Sequence, residues 1–219
     1  LEAGQSAVGD IFKWYKDKIC GTEISYEELE ARATQLRPGQ SGLMSLDWNN
    51  GCRNIYCDHE LSGLLLGQTL NTTKPEIYRA LIEATGFGAK LILEQLQKYQ
   101  IKIDKIVCCG GLSQKNKLLV QIYADIFNCE VVINTTEQTC ALGGAIAAAV
   151  CAGKQKGGYL NFSEAIASMV PNNPLSYLPN TDNSKIYQDL YIIYKEIAEG
   201  FAGKKNASLH QVMKKLMSL

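Results

Sequence analysis

The first half of the chain combines helical apolar spacing with short apolar runs. Apolar residues three and four positions apart predict three amphipathic helices. They cover about residues 7–19, Tyr26–Leu36 and a long segment that starts at the first-turn proline Pro75. The shorter runs predict strands, with a turn at residues 49–51. These strands are Leu43–Asp47, Asn54–Cys57 and Leu64–Leu70.

Beyond residue 100 the pattern becomes a regular alternation of strand and helix. It predicts strand 104–109, helix 116–127, strand 130–133 and helix 137–152. Such alternation is typical of parallel strands joined by helical crossovers. The last helix carries no charge between Cys140 and Ala152, so we expect it to be buried on nearly all sides. A proline-bearing loop over residues 171–183 and helical patterns near 184–199 and 207–218 predict a helical appendage.

Charge and cysteine content exclude several classes of function. The 22 basic and 22 acidic residues cancel, so no long-range field favours nucleic acid or an anionic membrane. No apolar run approaches the length of about 18 residues that spans a membrane, and no signal peptide is visible. The eight cysteines form no CxxC pair and no metal-like spacing with the two histidines. We interpret them as small buried residues in a reducing, cytoplasmic environment.

The segment Ile106–Asn116 is the strongest candidate for a ligand site. An apolar strand leads directly into Gly110-Gly111 and then towards a helix. Ligands of α/β proteins bind at the carboxyl ends of strands, and a glycine pair exposes main chain on which a flat group can rest. A tight turn without a ligand is the alternative. The chain has no Walker-type phosphate loop, and Gly86-x-Gly88 lies inside a helical pattern, where it would permit close packing.

Several segments together resemble the C-terminal half of the FGGY-type carbohydrate kinases. The main ones are LEAGQSAVGDIF (residues 1–12), SLDWNNGCR (45–53) and CGGLSQKN (109–116), supported by residues 78–85 and 121–125. The resemblance covers essentially the whole chain and is strongest towards members that phosphorylate a pentulose, ribulose above all. It implies an α/β fold, an actin-like (ribonuclease H-like) ATPase domain with a mixed sheet flanked by helices. Residues 1–155 would form the nucleotide-binding domain, with 156–219 as a helical appendage packed on it.

The same resemblance assigns nucleotide-binding positions to Gly9, Lys13, Gly110, Gly111 and Asn116. Gly111 would lie against the adenine or ribose of ATP, and Gly9 would offer bare backbone at the start of the first helix. Lys13 stands where relatives have glutamine, and an exposed helix lysine is its alternative role. Asn116 would lie near the adenine, and its spacing also predicts a helix N-cap.

For the sugar, the resemblance assigns Glu2, with Gln5 and Ser6 lining the same cleft. A carboxylate suits this role because it accepts hydrogen bonds from neighbouring hydroxyls. We interpret Asp47 and Asp58 as structural.

The chain lacks an initiator methionine and begins inside a patterned segment, so we expect it to be a piece of a longer protein. In the family, the catalytic aspartate, a phosphate loop and most sugar contacts precede the Glu2 segment. No catalytic residue is therefore assigned, and we expect no kinase activity from this chain alone. ATP, with Mg²⁺ bound through it, and a sugar would be shared with the N-terminal domain. The apolar face left exposed would favour homodimerisation. A kinase for another sugar, such as xylulose or glycerol, and a non-catalytic nucleotide-binding or scaffold module remain open alternatives.

Overall fold

A computed structural model describes residues 2–136, 138–171, 174–203, 209, 211, 213, 215 and 216. Within them, the helices are α1 (Gly9–Trp14, continued as a π-helix over Tyr15–Cys20), α2 (Tyr26–Thr34), α3 (Lys74–Lys98), α4 (Gly111–Lys115), α5 (Lys117–Phe127), α6 (Thr139–Ala152), α7 (Phe162–Met169) and α8 (Thr181–Phe201). The strands are β1 (Met44–Leu46), β2 (Leu64–Leu66), β3 (Lys105–Cys108), β4 (Glu130–Ile133) and β5 (Leu175–Tyr177). A 3₁₀ turn covers Lys154–Lys156.

The strands form two small sheets. β1 pairs antiparallel with β2, and the second sheet has the order β3-β4-β5. β4 runs parallel to β3, with Ile106 opposite Val131, and antiparallel to β5, with Val132 opposite Ser176. The predicted mixed sheet and its parallel βαβ unit are therefore confirmed. β5 was not predicted, because it lies inside the stretch interpreted as a loop.

The long helix α3 lies at the centre of the core and contacts α2, α5 and α8. Glycine permits part of this close packing, since a Cβ added at Gly86 would lie 2.6 Å from Ile126 Cδ1. A buried polar group joins three of the helices. Arg79 on α3 donates to Glu83 (Nε–Oε1, 2.8 Å), to the Ala33 carbonyl at the end of α2 and to Tyr187 Oη on α8 (2.9 Å). Helix α8 is thus bonded into the core.

Two predicted strands differ from the structure. Residues 54–57 form no strand, because Ile55 and Cys57 have φ angles of 72° and 53°, which are incompatible with extended backbone. The strand predicted over Leu64–Leu70 ends at Leu66. Gly67 follows it with φ 87° and so turns the chain away.

The expectation that the uncharged helix near residues 140–152 is buried is wrong for this chain. Of the fourteen residues of α6, Ile146 alone is buried. The helix packs mainly against α7, and eight of its fourteen residues are exposed. The prediction inferred burial from composition and assumed that the covering surface belongs to the same 219 residues.

The burial predicted for the cysteines is also wrong for most of them. Cys20 is buried, whereas four are exposed and three are half-buried; the exposed ones are Cys57, Cys109, Cys140 and Cys151. Two of these four lie on α6 and share its exposure. All eight are free thiols. Among the described residues, no helix combines the length and apolarity needed to cross a membrane.

Candidate functional site

The Gly110-Gly111 segment follows the carboxyl end of β3. Gly110 has φ 93°, a conformation that side chains beyond glycine rarely adopt. A Cβ added at Gly110 or Gly111 would meet no atom within 4 Å, so this main chain faces open space. The residues that follow form the short helix α4, which the sequence pattern did not predict, before α5 begins at Lys117.

A pocket of about 550 Å³ opens beside this main chain. Its volume is within the usual range for small-molecule sites. Helices α1, α2, α3 and α4 contribute its walls. The lining residues are Gly9, Phe12, Tyr26, Glu27, Glu30, Tyr78, Gly111, Leu112, Lys115 and Asn116.

The structure brings three of the five nucleotide-binding candidates to this pocket. They are Gly9, Gly111 and Asn116; a Cβ added at Gly9 would be in van der Waals contact with Leu112 Cδ2, at 3.7 Å. Gly110 forms the turn behind the lining. Lys13 does not line the pocket and is exposed on α1.

Asn116 has the capping role that its spacing predicted. Its Oδ1 accepts from the Leu119 amide at 2.8 Å, and its Nδ2 donates to Tyr78 Oη at 2.8 Å. Burial raises the pKa of the Tyr78 hydroxyl, with a further contribution from the nearby Glu30 carboxylate. Tyr78 is therefore a neutral phenol at physiological pH. Since both ends of the Asn116 amide are occupied, the residue shapes the pocket wall and holds Tyr78 in place.

The sequence reasoning missed most of the pocket wall. Phe12 could have been found, because it lies one helical turn after Gly9, and Leu112 because it follows Gly111 directly. Tyr78 and Glu30 lie on α3 and α2, and no local sequence pattern predicts that these two helices meet at the pocket. Glu30 is fixed from α5, because its Oε1 accepts from the Leu118 amide at 3.3 Å.

The sugar-binding candidates lie on the segment that precedes α1. Glu2 is exposed and Ser6 half-buried. Ser6 lines an open pocket of about 470 Å³, and its Oγ accepts from the Arg53 amide at 3.1 Å. Most of this pocket is formed by the loop after β1; the other lining residues are Gln5, Asn50, Cys52, Arg53, Cys57 and His59.

Gln5, which was predicted to line the sugar cleft, also bonds into the domain. Its Nε2 points into the domain and donates to Asp47 Oδ2 at 2.7 Å and to the Thr85 carbonyl at 2.8 Å. Asp47 also accepts from Tyr194 Oη on α8 at 2.8 Å. Burial raises the pKa of the Asp47 carboxyl, and these two hydrogen bonds partly oppose the effect. The structural role predicted for Asp47 agrees with these contacts.

Residues 1–152 match the C-terminal domain of the FGGY family of carbohydrate kinases. A ribulokinase from Anoxybacillus flavithermus is 44% identical over 98% of this chain, and the chain spans 39% of the length of that relative. Two crystal structures from Lactobacillus acidophilus, of a gluconate kinase and of a ligand-bound xylulose kinase, each align with a TM-score of 0.78 at 26% identity. Each alignment covers 89% of this chain and 38% of the other.

Proposed function

Because this chain belongs to the FGGY family of carbohydrate kinases, we propose that it is the nucleotide-binding half of an ATP-dependent pentulose kinase, with ribulose as the substrate. The complete gene product would transfer the γ-phosphate of ATP to a hydroxyl of the sugar. Residues 1–155 would form the C-terminal actin-like domain, with 156–219 as its helical appendage. A sugar-binding N-terminal domain would supply the rest of the length of the matched ribulokinase, of which this chain spans 39%.

The observation that carries the proposal is the pocket floored by bare main chain at Gly111. Apolar walls at Phe12 and Leu112 suit the faces of a purine, and the bare main chain of Gly111 leaves room for it. The neutral Tyr78 hydroxyl and the Glu30 carboxylate add hydrogen-bonding groups to the pocket lining. Gly110 is included among the proposed nucleotide-binding residues because it forms the turn that precedes Gly111. The ligand fits in size, since an adenosine group fills a pocket of several hundred Å³.

The phosphates would extend from this pocket towards α1. Lys13 lies one turn after Gly9 on the same helix and is exposed, so its ammonium can reach an anion bound over that glycine. Mg²⁺ would arrive with the nucleotide and neutralise its phosphates. We assign no protein ligand for the metal and no catalytic base within residues 1–219.

The sugar would bind beside the segment that leads from Glu2 to Gly9. The sugar candidate Glu2 and the nucleotide candidate Gly9 are only seven positions apart, so one short segment would connect both substrates. Ser6 lies between them and lines the open pocket beside this segment. Phosphoryl transfer requires this proximity, since the two reactants must be held together and in line.

The exposed helix α6 supports the proposed two-domain arrangement. It has no charged residue and Ile146 is its one buried residue, whereas soluble proteins rarely leave a contiguous apolar surface uncovered. We propose that the N-terminal domain covers this surface and closes the cleft over both substrates. In its absence, the same surface would favour a homodimer. A cytoplasmic location is supported by the eight free thiols.

Calorimetry with ADP tests the nucleotide site in this chain. With half of the cleft absent we expect a millimolar dissociation constant, a free energy of about −4 kcal/mol. Gly111→Leu should abolish binding, because the new side chain would occupy the pocket floor. Gly143→Leu is the matched control, since Gly143 lies on α6 in open space. Unchanged affinity in Gly111→Leu would contradict the assignment.

A substrate panel tests the sugar. The complete gene product should phosphorylate ribulose with a higher kcat/KM than xylulose, gluconate or glycerol. The xylulose kinase structure that aligns with this chain makes xylulose the competing candidate. A preference for any sugar other than ribulose would replace the proposed substrate and leave the nucleotide site unaffected.

A further inference from the structure

The segment that carries the sugar candidate Glu2 has no regular secondary structure of its own. Residues 2–7 form neither helix nor strand, and binding groups on irregular backbone need support from surrounding residues to hold a productive geometry. Here three consecutive residues are tied down. The Gly4 carbonyl accepts from Asn54 Nδ2, and Ser6 accepts from the loop after β1 through its carbonyl (Asn50 Nδ2, 3.3 Å) and its Oγ (Arg53 amide, 3.1 Å).

Gln5, between these two residues, is anchored in the opposite direction. Its amide enters the domain and donates both to Asp47 and to the Thr85 carbonyl, at 2.7 and 2.8 Å. The backbone of α3 lies directly over this pair. A Cβ added at Gly88 would lie 2.3 Å from Asp47 Oδ2 and 2.7 Å from Gln5 Nε2, so a glycine is required there in the middle of a helix.

Tyr194 completes the anchor from the far end of the chain. Its side chain is fully buried, and its hydroxyl donates to the second oxygen of Asp47 at 2.8 Å. Tyr194 lies outside residues 1–152, the part that matches the family domain. A buried carboxylate needs hydrogen-bond donors on its oxygens, so loss of the Tyr194 hydroxyl would disturb the same Asp47 that holds Gln5.

We propose that Gln5 is a positioning residue and that Gln5, Asp47 and Tyr194 form an anchor which fixes the Glu2 segment for sugar binding. Through this anchor, helix α8 would influence sugar binding although it does not contact the sugar. The role of the anchor in sugar binding rests on the proposed function. The hydrogen bonds of the anchor itself can be tested without measuring enzyme activity.

The structural part is tested by amide hydrogen exchange on this chain. Gln5→Met keeps the volume of the side chain and removes its two donors, and Tyr194→Phe removes a single hydroxyl. Both should speed exchange of the Arg53 amide, which donates to Ser6 Oγ, about fivefold or more, without a matching change in α5. Tyr187→Phe is the control. It removes a buried hydroxyl of the same helix, one that bonds to Arg79 and Glu83, so it should leave exchange of the Arg53 amide unchanged. Equal exchange in all three variants would overturn the anchor.

The functional part is tested by kinetics of the complete gene product. Gln5→Met and Tyr194→Phe should raise the KM for the sugar about tenfold and leave the KM for ATP within about twofold. Tyr187→Phe should change neither KM. An unchanged sugar KM, or equal changes in both KM values, would overturn the positioning role. If the wild-type protein phosphorylates no sugar, the proposed function fails, while the exchange experiment still decides the anchor.

Discussion

Helices α5 and α6 follow successive strands of the same sheet, yet their environments are opposite. α5 has eight of its eleven residues buried, although it carries Lys117 and Asp125. α6 has no charged residue, and one of its fourteen residues is buried. Apolar composition therefore does not decide burial in this molecule. The two helices differ in their neighbours, since α5 contacts α3, α8 and β4, whereas α6 packs mainly against α7.

This contrast identifies the side of the domain that another surface is expected to cover. A buried helix contributes to stability within these 219 residues, while α6 would contribute only after its partner surface is in place. The same substitution should therefore have different effects on the two helices, and the difference for α6 should depend on whether the N-terminal domain is present.

A charge placed on each helix should give the largest effect. Ile126 on α5 is fully buried, so Ile126→Asp buries an unpaired carboxylate and should cost about 3–5 kcal/mol of unfolding free energy. Ala145 on α6 is exposed, and Ala145→Asp should lower the stability of this chain by no more than about 1 kcal/mol, mainly through helix propensity. Urea unfolding followed by circular dichroism measures both.

The charge on α6 should act in the complete gene product instead. There, Ala145→Asp would place a carboxylate in the proposed domain interface and should lower the sugar kinase activity markedly. Full activity in that variant would show that α6 stays exposed, and a large loss of stability in the isolated chain would show that it is already covered.

The interior and the surface should also differ in their response to pH. Burial raises the pKa of Asp47 above its ordinary value of 3.8, whereas an ion pair with Lys154 lowers the pKa of Glu164 in the first turn of α7. A carboxyl whose pKa is raised on folding holds its proton more tightly in the native state, so its contribution to stability is lost as pH rises through the folded pKa.

Wild type should therefore lose stability relative to Asp47→Asn as pH rises above about 4, by about 1.4 kcal/mol for each unit of the rise in pKa. Urea unfolding of both proteins across this range measures the difference. The substitution also disturbs the hydrogen bond from Gln5, which shifts the whole curve, so the slope is the informative quantity. An increase in the stability of wild type relative to Asp47→Asn as pH rises would contradict the raised pKa of Asp47.

The comparison also explains which parts of the fold could be predicted from sequence. α3 and α5 and the parallel pair β3-β4 were predicted within a few residues, because their apolar spacing is local and their neighbours lie in the same chain. Residues 54–57 were wrongly predicted to form a strand. The positive φ angles there occur at Ile55 and Cys57, which are not glycines, so the sequence gives no sign of them. The burial of α6 was wrong because composition cannot say where the covering surface lies.

The candidate site was predictable in part for the same reason. The main chain of Gly110-Gly111 was found from a strand that runs into two glycines, and Asn116 as a cap from its position before a helix. Tyr78 and Glu30 reach the pocket from helices that are far away in sequence, and Gln5 turned inwards because a carboxylate 42 residues later accepts its amide. Such long-range partners leave no mark on the local sequence pattern.

Glycine-to-alanine substitutions on α6 and on the buried helix α3 should give the smallest effect. Gly143 on α6 has no atom within 4 Å of an added Cβ, so Gly143→Ala should stabilise this chain by up to about 1 kcal/mol through helix propensity alone. Gly86 on α3 is the matched control. An added Cβ there lies 2.6 Å from Ile126 Cδ1, so Gly86→Ala should gain nothing or lose stability. Thermal unfolding of this chain measures both changes. In the complete gene product the gain at Gly143 should disappear, because the helix would then pack closely against a second domain; a gain that persists would mean that α6 remains uncovered there.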